Sequence, residues 1–180
     1  MEALDGLTGR TGTRVVQQYA ADEVFAALTR RHVDGAYRLA WAILRDSAEA
    51  DDATQDAFAL AWRKRSSLRD ADRFDAWFGR ILVNVCRDRL RTSRAGRVRP
   101  LEEAPESAVG DSAASASNRD AVGRALDRLD ADHRIVVILR YWADLQVAEI
   151  GFRLGIPAGT VKSRLHNALK TMRLRLEDPR

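Results

Sequence analysis

A stretch near the middle of the chain cannot build a hydrophobic core of its own, and it limits what the rest can fold into. From residue 93 to residue 117, glycine, proline, serine and alanine are frequent and large apolar side chains are few. Such segments bury too little apolar surface to offset the conformational entropy that is lost on folding. We therefore predict a linker over residues 96–117. It divides the chain into two small domains, residues 21–95 and 118–177, which follow an N-terminal tail of residues 1–20.

Both domains are predicted to be helical. In the first, apolar residues recur every three or four positions, which predicts helices over residues 21–44 and 73–92. Between them, Asp46 precedes Glu49 by three residues, a spacing that caps the start of another helix. That helix is expected to bury an apolar stripe made of Ala53, Ala57, Phe58, Ala61 and Trp62. We find no internal repeat and no strand-like alternation of useful length, so the predicted fold class is all-α, with two small helical domains.

The second domain begins with a helix that Asn118 can cap. Asp130 can cap the next helix, and the apolar residues that this helix is expected to bury are Ile135, Ile138, Leu139 and Trp142. Neither helix indicates a function by itself.

Residues 146–176 have the pattern of a helix-turn-helix. Gly155 suits the left-handed conformation that ends a helix, and Pro157 can open the next helix because a missing N–H costs nothing there. Gly151 has no side chain where the two helices would cross closely. The second helix is expected to bury an apolar stripe made of Val161, Leu165, Leu169, Met172 and Leu176.

The outward face of that second helix is polar and basic, with no acid before Glu177. In a helix-turn-helix, the first turns of the second helix enter the major groove, where arginine and lysine reach guanine and shorter polar side chains reach other base edges or phosphates. A net charge of +4 supports a polyanionic partner because the cations are clustered here. We predict binding to duplex DNA through Thr160, Lys162, Ser163, Arg164, His166, Asn167, Lys170 and Arg173.

Composition and motifs argue against several classes of protein. No run of about twenty apolar residues is present, which argues against a transmembrane helix. The N-terminus lacks the order of basic and then apolar residues that is typical of a secretory signal. We therefore expect a cytoplasmic protein. The single cysteine, Cys86, is expected to be a small buried apolar residue, and the three histidines are too scattered for a metal site. A phosphate-cradling glycine loop, paired histidines and a nucleophile motif are all missing, so we predict neither an enzyme nor a cofactor.

Residues 156–166 closely resemble the recognition-helix signature of region four in extracytoplasmic-function sigma factors. The first half is similar to region two of the same family, in the same order, over residues 37–44, 48–58, 74–84 and 88–91. The resemblance covers about residues 22–95 and 118–177. It implies a transcription initiation factor with two helical domains joined by a linker.

The resemblance implies that region two docks on a coiled coil of the largest subunit of core RNA polymerase through its second helix. The positions that match this surface are Asp51, Asp52, Gln55 and Asp56. An acidic and polar patch suits a basic coiled coil by charge complementarity. Without the resemblance, the same residues are better interpreted as a solvated helix face.

The resemblance also implies that region two opens the promoter and holds one strand of the minus-ten element, with a base flipped into a loop pocket. The matching loop is residues 66–72, and Asn84 on the next helix can both donate to and accept from a base edge. Trp77 and Phe78 could stack on bases, although at helical spacing at least one of them is expected in the core. The positions expected to contact this element are Leu68, Arg69, Arg80, Asn84, Arg87, Arg91 and Arg94.

By the same resemblance, region four reads the minus-thirty-five element. The implied partners are core RNA polymerase and promoter DNA, and an anti-sigma factor is left open as a third. The alternative is a conventional helix-turn-helix regulator with a helical partner-binding domain. The two differ in polymerase dependence, because a regulator would protect duplex DNA alone whereas a sigma factor would need the core enzyme.

Overall fold

The computed structural model describes residues 6–93 and 113–177, which we call the first and second halves, with side chains over 22–92 and 119–176. Seven α-helices make up most of these residues. They are α1 Gly6–Leu44, α2 Ser47–Arg63, α3 Phe74–Ser93, α4 Ala113–Asp127, α5 Ala131–Val137, α6 Val147–Leu154 and α7 Ala158–Glu177. Two short 3-10 turns lie between α2 and α3, Arg65–Ser67 and Ala71–Arg73, and a π-helical turn, Ile138–Trp142, extends α5. Within the described residues there is no strand, and the predicted all-α fold is confirmed.

Two helices begin earlier than predicted. α1 starts at Gly6 and so includes most of the predicted tail, and α4 starts at Ala113, inside the predicted linker. Asn118 therefore lies within α4 and does not cap it. Both predicted helix starts were placed where the apolar periodicity begins. A helix can extend beyond its apolar stripe, because it propagates by adding residues to an existing turn. No proline interrupts the added stretch of either helix. Residues 96–112, the rest of the predicted linker, lie outside the described residues, as do residues 94 and 95 at the end of the predicted first domain.

The predicted helix caps at Asp46 and Asp130 are confirmed. Asp46 Oδ1 accepts a 2.8 Å hydrogen bond from the Glu49 N–H, and Asp130 Oδ1 accepts one of 3.0 Å from the His133 N–H. Each bond satisfies a backbone donor that has no partner within the first turn of a helix. These caps fix where α2 and α5 begin.

The first half packs α1, α2 and α3 around aromatic rings. Phe74 is 1% exposed, and its ring stacks on Phe78 at 5.4 Å and meets Phe25 edge-on at 6.0 Å. Three alanines of α2 are fully buried as predicted, namely Ala53, Ala57 and Ala61. Trp62 was wrongly placed in that stripe. It is 39% exposed, because it lies at the end of α2, where the Arg65 guanidinium stacks on its ring at 4.0 Å.

The core of the second half is formed by α4, α5, α6 and α7. Its fully buried side chains include Ile135, Leu139 and Ile150. Trp142 was predicted in this core but is 49% exposed. The π-helical turn at Ile138–Trp142 departs from the 3.6-residue period on which that prediction depended.

The two halves pack against each other. Helix α3 of the first half contacts α5 and α6 of the second, and α1 contacts the π-helical turn. Nothing in the periodicity of either half predicts this contact, because it joins segments that are distant in sequence. Several of the candidate functional residues lie beside it.

Candidate nucleic-acid interface

The turn of the helix-turn-helix is built as predicted. Gly155 ends α6 with φ at +67°, in the left-handed region, and the Pro157 carbonyl accepts the first hydrogen bonds of α7, from the N–H groups of Thr160 and Val161. The Ile156 N–H donates to the Gly151 carbonyl at 3.0 Å. A Cβ at Gly151 would stand 2.8 Å from the Ile156 carbonyl oxygen, so this glycine permits a close approach of backbone in the turn. The geometry fixes the direction in which α7 leaves α6.

Helix α7 has one buried stripe. The predicted stripe is buried at three positions, Val161, Leu165 and Met172. Leu169 and Leu176 were predicted to be buried as well, but they are 41% and 46% exposed. Ala168 is fully buried in their place. Residues 168 and 169 both fit three-four spacing between Leu165 and Met172, but they lie about 100° apart round the helix, and only residue 168 faces the core.

The opposite face of α7 carries the predicted DNA-contacting residues. Six of them are exposed, namely Lys162, Ser163, His166, Asn167, Lys170 and Arg173. Thr160 and Arg164 are half-buried. The Thr160 carbonyl accepts a hydrogen bond from the Ser163 hydroxyl, and Arg164 Nη2 lies 3.1 Å from Asp132 Oδ2 on α5. Three of the exposed predicted residues are therefore cations, Lys162, Lys170 and Arg173, while Arg164 is engaged inside the protein.

Four predicted minus-ten residues share one face of α3. Three-four spacing aligns positions 80, 84, 87 and 91 along the helix. Asn84 Oδ1 accepts a 2.6 Å hydrogen bond from Arg87 Nη2, so the amide oxygen of Asn84 is engaged within α3. Arg91 Nη2 donates to both carboxylate oxygens of Asp132, at 3.1 and 3.2 Å. Arg87 Nε is buried without a hydrogen-bond partner among the described residues, and Arg94 lies outside them.

The loop between α2 and α3 is held partly by Trp77. Its Nε1 donates a 3.2 Å hydrogen bond to Ser67 Oγ. Leu68 is half-buried and packs on the core, whereas Arg69 is exposed. Phe78 is 4% exposed, which places it in the core as expected of at least one of the two aromatics. Trp77 is half-buried.

An arginine that the sequence did not reveal lies against the polar face of α2. The four candidate residues of that face are exposed, namely Asp51, Asp52, Gln55 and Asp56. Arg89 of α3 lies 2.9 Å from Glu49, 3.7 Å from Asp52 and 2.5 Å from Asp56. Burial lowers the pKa of Arg89, but hydrogen bonds with Asp56 and Glu49 raise it, and the net pKa is above the ordinary value. This contact exists only once α3 packs on α2, and no local pattern signals it.

Other chemistry is limited in the part of the chain that the structure describes. Cys86 is buried as predicted, and burial raises the pKa of its thiol to about 12. Among the described residues, no group of three histidine, cysteine or acidic side chains is placed to hold a metal ion. None of the described helices is long and apolar enough to span a membrane.

Family comparisons agree with this geometry. Sigma-70 region 2 matches residues 28–96, and Sigma-70, region 4 matches residues 119–172. The ECF RNA polymerase sigma factor SigM of Mycobacterium tuberculosis is 39% identical over 151 residues, which cover 84% of this chain and 74% of SigM. The chain belongs to the extracytoplasmic-function (ECF) sigma factors. The RNA polymerase sigma-E factor of Streptomyces coelicolor is 32% identical to it over 149 residues, 83% of this chain and 84% of that protein.

Solved structures share the fold of this ECF sigma factor. CnrH, solved in complex with the cytosolic domain of CnrY, aligns with a TM-score of 0.63 and 26% identity over 91% of this chain and 96% of that chain. The sigma factor RpoE from Bartonella quintana, solved in complex with the anti-sigma factor NepR, aligns with a TM-score of 0.65 and 22% identity over 87% and 98%. Both alignments extend over the two halves of the ECF sigma factor.

Proposed function

We propose that this ECF sigma factor binds core RNA polymerase and directs transcription initiation at promoters whose minus-ten and minus-thirty-five elements it recognises. The observation that carries the proposal is the exposed basic face of α7, in a chain whose other half presents a separate, exposed acidic face on α2. The first suits a polyanion and the second a basic protein surface. A chain with both can bring a promoter and a polymerase together.

In this proposal, α7 lies in the major groove of the minus-thirty-five element. Lys162 and Arg164 lie in its first two turns, where side chains of a recognition helix reach base edges. Lys170 and Arg173 lie further along the helix and suit phosphates. The short polar side chains between them, at Ser163, His166 and Asn167, are exposed on the same face.

Region two would meet the polymerase and the minus-ten element on different helices. The exposed polar face of α2 would contact a basic coiled coil of the polymerase. This face is formed by Asp51, Asp52, Gln55 and Asp56. On α3, Asn84 would offer its NH₂ group to a base, with Leu68 and Arg69 at the loop pocket and Trp77 as a stacking surface. Phosphates of the same strand would be contacted by Arg80, Arg87 and Arg91.

Two further points complete the proposal. The polymerase supplies the bond-forming chemistry, so the ECF sigma factor acts without catalysis, in the cytoplasm where the polymerase works. An anti-sigma factor is a further partner, because one of the similar structures was solved with an anti-sigma factor bound.

A run-off transcription assay tests the proposal. Core polymerase, a library of genomic promoter fragments and the full chain are expected to yield transcripts that start at defined positions, which core polymerase alone does not produce. The same fragments are then footprinted with and without core enzyme. Protection of duplex DNA by the chain alone, without any gain in transcription, would instead identify the conventional helix-turn-helix regulator.

A further inference from the structure

Arg164 lies at the edge of the buried stripe of α7. It comes three residues after Val161 and four before Ala168, which are both fully buried, and its own side chain is 25% exposed. Residues at these spacings share one side of a helix. Lys162, the other cation in the first two turns, is exposed on the outward face. Arg164 therefore leaves α7 between the protein core and the exposed basic face.

The guanidinium of Arg164 meets a carboxylate from another helix. Its Nη2 lies 3.1 Å from Oδ2 of Asp132, the second residue of α5, and the Asp132 side chain is also 25% exposed. Both residues of this ion pair belong to the second half of the chain. The pair therefore does not depend on how the two halves are placed relative to each other.

The Asp132 carboxylate is itself held in place. Asp130 caps α5, since its Oδ1 accepts a 3.0 Å hydrogen bond from the His133 N–H, and this cap fixes where the helix begins. Helix α5 packs on α7, and both helices contribute fully buried residues to the core, such as Ile135 and Val161. A side chain on a helix that the core holds in place is a rigid support for its partner.

A supported arginine is suited to reading a base edge. A free arginine loses rotamer freedom when it binds, and holding it in the bound conformation beforehand removes part of that cost. The guanidinium is a planar fork of five N–H donors, so one carboxylate contact leaves donors for a base. A fork in a fixed direction matches the N7 and O6 acceptors that guanine presents in the major groove.

The carboxylate acts differently on phosphates. Attraction to the DNA backbone depends on net positive charge, and the charge of Asp132 offsets that of Arg164. Base contacts depend on where the donors lie, and they carry the sequence information that phosphate contacts lack. An arginine paired with a carboxylate therefore gains in sequence preference and loses in general affinity for DNA.

We propose that Asp132 is a positioning residue for promoter recognition: its carboxylate holds the Arg164 guanidinium where it reads a guanine edge in the minus-thirty-five element. The inference rests on the proposed function, which places the first turns of α7 in the major groove. Asp132 acts through Arg164 and raises the preference for the correct sequence. Arg91 also donates to Asp132, but it is assigned to the minus-ten element, which the test keeps constant.

Holoenzyme, the complex of core polymerase with the full chain, is the protein to test. Fluorescence anisotropy measures its affinity for two duplexes that share one minus-ten element and differ only in the minus-thirty-five element. One duplex carries the sequence selected in the run-off assay, and the other carries a scrambled sequence. The ratio of the two affinities is the specificity ratio. Minus-ten contacts and an inactive fraction of protein affect both affinities equally, so they cancel in this ratio.

Asp132→Asn removes the charge with little change in shape. It is expected to lower the specificity ratio about two- to tenfold, the effect of immobilising one long side chain. Affinity for the selected sequence falls, whereas affinity for the scrambled sequence stays or rises because a negative charge has been removed. Asp120→Asn is the matched control, with the same loss of charge at an exposed position on α4. Its specificity ratio is expected to equal that of wild type.

An Arg164→Ala background shows whether Asp132 acts through Arg164. Arg164→Ala alone is expected to lower the specificity ratio, and adding Asp132→Asn is then expected to leave the ratio unchanged, because the positioned side chain is missing. A carboxylate that only ties α5 to α7 behaves differently. Its loss lowers the melting temperature, which thermal denaturation measures, and does not change the specificity ratio in either background.

Four results would overturn the inference: an unchanged ratio in Asp132→Asn, an unchanged ratio in Arg164→Ala, an equal effect of Asp132→Asn with and without Arg164, or an equal fall in Asp120→Asn. Run-off transcription separates this failure from failure of the proposed function. If wild type directs initiation and any of the four results is found, only the inference fails. If wild type directs no initiation with core polymerase, the proposed function fails and the inference falls with it.

Discussion

Arg89 on α3 donates a 2.9 Å hydrogen bond to Glu49 near the start of α2, and the same guanidinium reaches Asp52 and Asp56. Arg89→Ala is expected to lower the free energy of unfolding by about 1 kcal/mol or less, because the two aspartates are largely exposed and exposed ion pairs contribute little. Urea denaturation measures the change. Arg63→Ala, at the exposed end of α2, is the control and is expected to have no effect.

The contact of Arg89 also decides how the polymerase surface is best tested. Because Asp56 stabilises the packing of α2 on α3, replacing it mixes a structural effect with a binding effect. Asp51→Ala with Gln55→Ala avoids this, since both side chains are exposed one turn apart on the outer face of α2. We expect this pair to weaken binding to core polymerase in a pull-down titration while the unfolding curve stays as in wild type. Unchanged affinity would remove these residues from the interface.

Local signals in the sequence predicted the parts of this protein that depend on neighbours in the chain. The caps at Asp46 and Asp130 and the turn at Gly155 need only a few adjacent residues, and all three were predicted correctly. Burial at Leu169 depended on which residues α7 meets, and spacing alone did not fix it. The pairing of Arg91 with Asp132 was also out of reach, because it joins residues from different halves of the chain.

Two glycines on either side of the helix-turn-helix turn should respond oppositely to alanine. A Cβ at Gly151 meets a backbone carbonyl that cannot move freely, and in Gly151→Ala this overlap is expected to destabilise the protein by about 1–3 kcal/mol. The higher helix propensity of alanine offsets ~1 kcal/mol of that loss. Gly159 has open space around it, and Gly159→Ala is expected to stabilise by up to about 1 kcal/mol. Thermal denaturation compares the two. Equal shifts would mean that the turn is not tightly packed.

The Asn84 amide has two possible roles, because its oxygen accepts a hydrogen bond from Arg87 whereas its NH₂ group can donate to a base. Asn84→Ala loses both the acceptor for Arg87 and the NH₂ donor, whereas Asn84→Asp keeps the acceptor, loses the donor and adds a negative charge. If the NH₂ group contacts a base, both variants are expected to slow open-complex formation, and a pre-melted minus-ten element restores the rate only in part. Normal rates for Asn84→Asp would show that Asn84 acts by positioning Arg87. Full rescue of Asn84→Ala by pre-melting would show that it assists melting and does not read sequence.

Salt dependence distinguishes phosphate contacts from base contacts along α7. Lys170 and Arg173 are exposed and lie beyond the first turns of α7. If they contact phosphates, replacing either of them with alanine should weaken holoenzyme binding to preferred and scrambled duplexes alike. The magnitude of the log-log salt slope should then fall by roughly 0.9 for each contact removed. Lys162 and Arg164 lie nearer the helix start, where loss of a base contact costs on the order of 1–3 kcal/mol on the preferred promoter and less on scrambled DNA. Because Arg164 is held by Asp132 in the free chain, its contribution should be measured in the holoenzyme. An Arg164→Ala, Lys170→Ala variant with unchanged affinity and salt slope would mean that α7 does not enter the groove.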